Sequence, residues 1–259
     1  MAAVTSPPHP LLEARGIAKA FGHIQALAGV DFHVGYREVV GLVGDNGAGK
    51  STLIKILTGV YPPDAGQLFF EGRPITLASP QDARALGIET VYQDLALVEQ
   101  MSIARNFFLG REPVRRIGPL PVLDTGTMHR VTERVLREIG ITTLRSSAQD
   151  VGVLSGGERQ AIAIGRTMHF GARLIILDEP TSALSVKETQ KVLDYIGEAR
   201  RRGLSVIFIT HNLYHVYPVS DRMVVLDHGR KVGDFRRQEV SIEDLVALIT
   251  LPGAASARA

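Results

Sequence analysis

Short apolar runs alternate with helix-period stripes along this chain, and the alternation predicts an α/β fold. EVVGLVG (38–44), RLIILDEP (173–180) and LSVIFITHN (204–212) are continuous apolar runs of strand length, as expected of strands covered on both faces. GQLFFEGRPI and DRMVVLDHGRKVGD read as hairpins, one turning at Glu71 and Gly72, the other near His228 and Gly229. STLIKILTG predicts a helix ending near Gly59. In MHRVTERVLREIG, after the Pro/Gly-rich REPVRRIGPLPVLDTG, Val131, Val135, Leu136 and Ile139 recur at helical period. Ser185 and Glu188 have capping-box spacing ahead of the stripe Val192, Leu193, Ile196 and Ala199, which should pack on the sheet. We expect one domain over 11–236, its core about 11–94 and 154–236, with a smaller, mostly helical subdomain inserted at about 95–153. A C-terminal helix and a disordered tail are expected over 237–259, and disorder also at the Pro-rich N terminus.

Composition narrows the partners. With 29 Lys and Arg against 27 Asp and Glu, a net charge of +2 leaves no electrostatic footprint for nucleic acid. Arg200, Arg201 and Arg202 sit where a helix should end, and cations there complement its dipole. The absence of cysteine excludes disulfides, thiolate zinc sites and thiol catalysis. No run reaches the ~20 apolar residues that a membrane helix needs, and MAAVTSPPHP lacks the regions of an export signal. A cytoplasmic location is the expectation, with any membrane role exercised through a partner.

Two segments have the chemistry to hold a phosphate. GDNGAGKST, comprising Gly44, Asp45, Asn46, Gly47, Ala48, Gly49, Lys50, Ser51 and Thr52, fits the phosphate-loop pattern in full, between a predicted strand and a predicted helix. Its backbone N–H groups can surround a β-phosphate, side chains at Gly47 or Gly49 would obstruct it, Lys50 adds positive charge and Ser51 a Mg²⁺ ligand. LSGGERQ (154–160) also pairs small residues with a helix start, so one polypeptide carries two cradles for one kind of ligand. At the end of an apolar strand, Asp178 and Glu179 read either as a cap or turn, or as a Mg²⁺ ligand followed by a base for the attacking water. His211, after another strand, reads as a cap or core residue, or as a donor to a γ-phosphate. The Gln93 amide, in TVYQDLAL, is a further candidate for Mg²⁺.

The order of these motifs, from the phosphate loop through Gln93, LSGGERQ, LIILDEP and SAL to His211, resembles the ATP-binding cassette (ABC) ATPase family over about Leu11 to Gly233. The resemblance implies a P-loop NTPase fold of ABC type: a mostly parallel core sheet with helices, an antiparallel β subdomain and an inserted helical subdomain. It also implies a use for the second cradle. In this family two cassettes pair head to tail, and each ATP lies between the phosphate loop of one and the signature of the other. Ser155, Gly156 and Gly157 would then meet the partner's γ-phosphate, and Phe21 would stack on adenine. A homodimer is the simplest arrangement, with pairing to a different cassette left open. Ser185 stands where many members have Asp, which puts that residue's usual contact between subunits in doubt, and Glu158 stands where Gln is also common.

ETVYQDLALVEQMSIARNFFLGRE and THNLYHVYPVSDRMVVLDHGR are similar to the ATP-binding subunits of bacterial simple-sugar importers. That likeness implies ATP and Mg²⁺ as cofactors, a membrane permease, a periplasmic sugar-binding protein acting through it, and a peripheral place on the inner face of the membrane. The permease is expected to dock near Gln93 to Arg116, on Phe107, Phe108 and Leu109. The competing readings are a soluble ABC ATPase of repair, translation or cofactor assembly, and a transporter subunit for another solute. Against the soluble ATPase stand the lack of a long coiled-coil insertion between Gln93 and Ser155, the lack of metal-binding cysteines and the weak basic charge.

Overall fold

The computed structural model describes residues 9–141 and 146–250; the ends expected to be disordered, 1–8 and 251–259, lie outside the described residues. The chain opens with two long strands, β1 (Leu12–Phe21) and β2 (Ile24–Val34), then β3 (Val39–Val43), which leads through the glycine loop into helix α1 (Lys50–Leu57). A hairpin follows, β4 (Ala65–Phe70) and β5 (Arg73–Ile75), turning through Glu71 and Gly72, both at positive φ. Next come α2 (Pro80–Ala85), β6 (Ile88–Val91), α3 (Ile103–Phe108), β7 (Val114–Ile117), β8 (Leu120–Leu123) and α4 (Thr125–Glu138). The remainder alternates: α5 (Gly156–His169), β9 (Leu174–Asp178), α6 (Val186–Arg201), β10 (Ser205–Ile209), α7 (Leu213–Val216), β11 (Arg222–Asp227), β12 (Arg230–Arg236) and α8 (Ile242–Thr250).

The central sheet has the order β12-β11-β3-β10-β9-β6, parallel except for β12, which turns back through His228 and Gly229. The inner strands β3, β9 and β10 are almost wholly apolar because successive side chains enter opposite cores. Val39 and Val43 of β3, Ile175 and Leu177 of β9, and Val206 and Phe208 of β10 join one core with residues of α3, α4, α5 and α6. Val40 and Leu42, Leu174 and Ile176, and Ile207 and Ile209 join the other, with residues of α1 and of the antiparallel sheet β2-β1-β4-β5. Buried Arg222 ties β11 to its neighbours, donating to Glu38 (2.8 Å), Asp234 (2.7 Å) and the His33 carbonyl (2.5 Å).

Between β6 and α5 the structure departs from expectation in two ways. Residues 114–123, legible only as Pro/Gly-rich, pair as the hairpin β7–β8, with Val114, Ile117, Leu120, Val122 and Leu123 exposed. Phe107 and Phe108 are no docking surface. Both are buried, stacked with His169 and Phe170 where α3 meets α5, and Leu109 is half-buried. With Ile103 and Ala104 they form the inward stripe of α3, a periodicity too short to be separated from an exposed apolar run without knowing what packs on it.

Candidate functional site

Parallel strands deliver their following loops to one edge of the sheet, and four neighbours in register, β3, β10, β9 and β6, each deliver a motif there. The phosphate loop follows Val43, Thr210 and His211 follow Ile209, Asp178 ends β9 with Glu179 next, and Gln93 lies two residues beyond Val91.

Gly44, Gly47 and Gly49 all have positive φ, so the loop coils back on itself. The reason for glycine differs by position. A Cβ on Gly49 would lie 2.7 Å from the Ala26 carbonyl oxygen, so the protein's own backbone forbids one. Gly47 has open space around it, and there the requirement is its φ of 82°. Helix α1 starts with no side-chain cap and no acidic residue in its first turn, leaving its leading N–H groups and its dipole to an anion. Lys50 is buried and donates to the carbonyls of Gly44 (2.7 Å) and Asp45 (2.8 Å). Burial pushes its ammonium below the usual lysine range, against the opposing pull of Glu179, Asp45 and Asp178. Ser51 and Asn46 are exposed, Thr52 half-buried and Ala48 buried.

Glu179 is the most constrained side chain of this edge. Its backbone is left-handed, φ 49°, rare for a residue with a Cβ. Its carboxylate accepts from the Thr210 hydroxyl (2.9 Å), the His211 N–H (3.1 Å) and His211 Nδ1 (2.8 Å). The other ring nitrogen of His211, Nε2, makes no hydrogen bond among the described residues. The His211 side chain is 69% exposed, so Glu179 fixes an imidazole that still reaches outward. Thr210, buried and immediately before His211, was not singled out from sequence; its place at the same strand end was the available signal.

Asp178 sits beside this cluster and accepts no hydrogen bond among the described residues. Burial, then the charge of Glu179, pushes its carboxyl above the ordinary aspartate range, while Lys50 and Lys55 oppose. No group of three or more His, Cys, Asp or Glu among the described residues could hold a metal alone. A half-buried carboxylate without a protein donor, with a hydroxyl (Ser51) and an amide (Gln93), is nonetheless the oxygen set of Mg²⁺, which takes one or two protein ligands and completes its shell with phosphates and water. Gln93 is exposed, with no side-chain hydrogen bond among the described residues. Phe21 ends β1, 43% exposed, with its ring edge-on to Tyr61 at 5.3 Å.

The second cradle is built separately. Ser155 caps α5 and exchanges hydrogen bonds with Glu158: its hydroxyl accepts from the Glu158 N–H (3.3 Å) and its N–H donates to the Glu158 carboxylate (3.0 Å). Gly156 and Gly157 make the helix's first turn, and their close neighbours belong to 184–188: a Cβ on Gly156 would lie 2.6 Å from Leu184, and one on Gly157 3.0 Å from Glu188. None of these partners belongs to the phosphate loop, whose closest contacts include Ala26, Leu27, Leu226 and Gly229.

The ABC transporter family profile matches residues 27–182. The chain is 43% identical to the fructose import ATP-binding protein of Rhizobium meliloti over 93% of its own length and 94% of that protein's. It is 44% identical to the xylose/arabinose import ATP-binding protein of Sulfolobus acidocaldarius, with the same coverage. A ribose import ATP-binding protein of Burkholderia pseudomallei is 42% identical over 95% of this chain, which spans 47% of that longer protein. Among solved structures, a nucleotide-free ATP-binding cassette from an ABC transporter superposes with a TM-score of 0.79 at 24% identity, covering 94% of this chain and 96% of the other.

Proposed function

We infer that this chain, which belongs to the ABC transporter family, is the ATP-hydrolysing subunit of an importer, and that its substrate route carries a monosaccharide. The observation that carries the reading is that two phosphate cradles have their nearest contacts on different elements, and only the one with Lys50 lies beside Glu179. Two copies arranged head to tail would give each ATP both cradles. The relatives are named for import of fructose, xylose or arabinose, and ribose, which supports the substrate class.

In this reading the phosphate loop and Lys50 hold the β- and γ-phosphates of ATP, and Phe21 stacks on adenine. Ser51, Gln93 and Asp178 are the residues to hold Mg²⁺, which supplies positive charge to the phosphate oxygens when bound. Glu179 orients water and takes its proton as the oxygen attacks the γ-phosphorus and the bond to the ADP oxygen breaks. Thr210 and His211 keep the Glu179 carboxylate aimed, with the outer face of His211 toward the γ-phosphate. Loss of the γ-phosphate removes the ligand shared between copies, which converts turnover into opening of the dimer.

No described helix is long and apolar enough to cross a membrane. Docking to a permease on the cytoplasmic face is therefore the proposed attachment, through a partner that takes its solute from a periplasmic binding protein. The groove lined by Tyr92, Leu95, Leu97, Leu109, Arg111 and Phe170 is the surface offered, since it adjoins Gln93 and would relay nucleotide state to the permease. The test is to recover tagged Glu179→Gln chain from detergent-solubilised membranes with Mg-ATP. Co-purification of a polytopic permease whose reconstituted complex takes up a monosaccharide supports the reading; recovery of only soluble partners overturns the importer assignment.

A further inference from the structure

The N-terminal turn of α6 carries a carboxylate that serves two helices. Glu188 Oε2 accepts from the Ser185 N–H (3.0 Å) and hydroxyl (2.7 Å), which is the capping box expected of Ser185 and Glu188. Its other oxygen, Oε1, accepts the Gly157 N–H of α5 at 3.3 Å. The Glu188 carboxyl is held down at about 2, chiefly by the Ser185 hydroxyl and N–H, with smaller contributions from the Gly157 N–H and the Ser155 hydroxyl. Leu184 fits against Gly156 so closely that a Cβ there would lie 2.6 Å from it. The signature glycines thus have a use within the chain: they let 184–188 approach.

The same segment is the far end of the turn that begins at Glu179. Ser182 N–H bonds back to the Glu179 carbonyl (3.1 Å), Thr181 is buried with its hydroxyl 3.0 Å from His215 Nδ1, and both Glu179 and Ala183 have left-handed backbones. A short, strained and internally bonded turn of this kind transmits a displacement at one end to the other rather than absorbing it.

We propose that Glu188 is a positioning residue that couples the two ATP sites of the dimer, by linking the signature helix that serves the partner's nucleotide to the turn that carries Glu179 for the chain's own. The proposal rests on the head-to-tail reading above. One N–H cannot serve two anions, so a γ-phosphate that takes the Gly157 N–H releases Glu188 to its Ser185 partners alone. The α6 start and the turn 179–185 then shift together, and each site senses occupancy of the other. Ser185, standing where Asp is usual, anchors Glu188 at the start of α6 and is not itself the link to α5.

The test is steady-state ATP hydrolysis by the purified full chain as a function of ATP, with nucleotide affinity of the monomer and thermal melting measured alongside. Wild type should show a Hill coefficient approaching about two, the number of sites. Glu188→Ala should bring it to about one while monomer affinity stays within about twofold. Glu188→Gln, which can still cap α6 but cannot serve all three donors, should fall between and guards against a simple folding defect. Ser185→Ala weakens the cap yet leaves the bond to Gly157, and should keep its cooperativity. Equal losses in Ser185→Ala and Glu188→Ala, or none in Glu188→Ala, would overturn the coupling role. Wild type that hydrolyses ATP without cooperativity would also overturn it, whereas wild type without any ATPase activity would overturn the underlying reading instead.

Discussion

The two phosphate cradles are made from the same residue types and built in opposite ways. At the strand edge, the loop from Gly44 to Gly49 leaves the first turn of α1 without a cap, and the hydrogen bonds to the Glu179 carboxylate come from Thr210 and His211. At the signature, a cap is present and the Gly157 N–H is already engaged by Glu188. The phosphate loop is held by itself, with the Asn46 N–H on the Asp45 carboxylate (2.7 Å) and Lys50 on the Gly44 and Asp45 carbonyls. The signature N–H is held by a carboxylate from another helix, so the two cradles release different partners to accept a phosphate. A glycine-rich helix start is thus not one kind of site: what occupies its N–H groups decides how it responds to a ligand.

The largest effect should come from breaking the strand edge alone. Glu179→Gln should lower kcat by about 10²–10⁴, the usual worth of a general base, while ATP binding persists and dimers accumulate with ATP, as read by light scattering. Breaking the signature alone with Ser155→Arg should leave monomer ATP affinity unchanged and abolish ATP-dependent dimers and turnover. Normal hydrolysis in that variant would mean that the second cradle plays no part.

Smaller changes sharpen the contrast through stability. Gly157→Ala would set a Cβ 3.0 Å from Glu188 Cβ and 3.4 Å from its Cα, atoms held by the α6 backbone, and should cost about 1 kcal/mol by overpacking, in thermal or denaturant unfolding. Asp178→Asn should go the other way. Its raised carboxyl pKa means that the ionised form is disfavoured in the fold, so removing the charge should raise Tm, while Mg²⁺-dependent hydrolysis is lost. The smallest effect concerns neither cradle. Burial, aided by Arg222, lowers the His33 imidazole below its usual range against the pull of Asp234 and Glu38. The unfolded chain then binds the proton more readily, so stability present above the unfolded value near 6.5 is lost as pH falls through the folded one. His33→Asn should flatten that part of the Tm profile.

The parallel strands and the motifs that they gather at one sheet edge were legible because one chemical constraint produced each signal. Strands covered on both faces must be apolar throughout, and a phosphate loop must hold its glycines and lysine in fixed order, so 38–52 and 173–180 read plainly. Phe107 and Phe108 did not, because an apolar pair is equally compatible with an interface and with the α3–α5 contact that in fact buries them. The hairpin β7–β8 was obscured because exposed strands need no alternation against a core. Glu188 was visible as a capping residue, but its reach to Gly157 depends on how α5 and α6 cross, which local sequence does not encode.

The most direct test of the central claim, that each nucleotide is shared between copies, uses the chain's lack of native cysteine. Asn46→Cys in one Glu179→Gln chain and Val153→Cys in another place single thiols beside the two cradles, Asn46 exposed in the phosphate loop and Val153, 74% exposed, two residues before Ser155. Mixed with Mg-ATP and a short thiol crosslinker, they should give a 46–153 crosslinked heterodimer that ADP does not support and Ser155→Arg in the Val153→Cys chain abolishes. A dimer that forms with ATP yet yields no 46–153 link, or links 46 to 46 instead, would contradict the account.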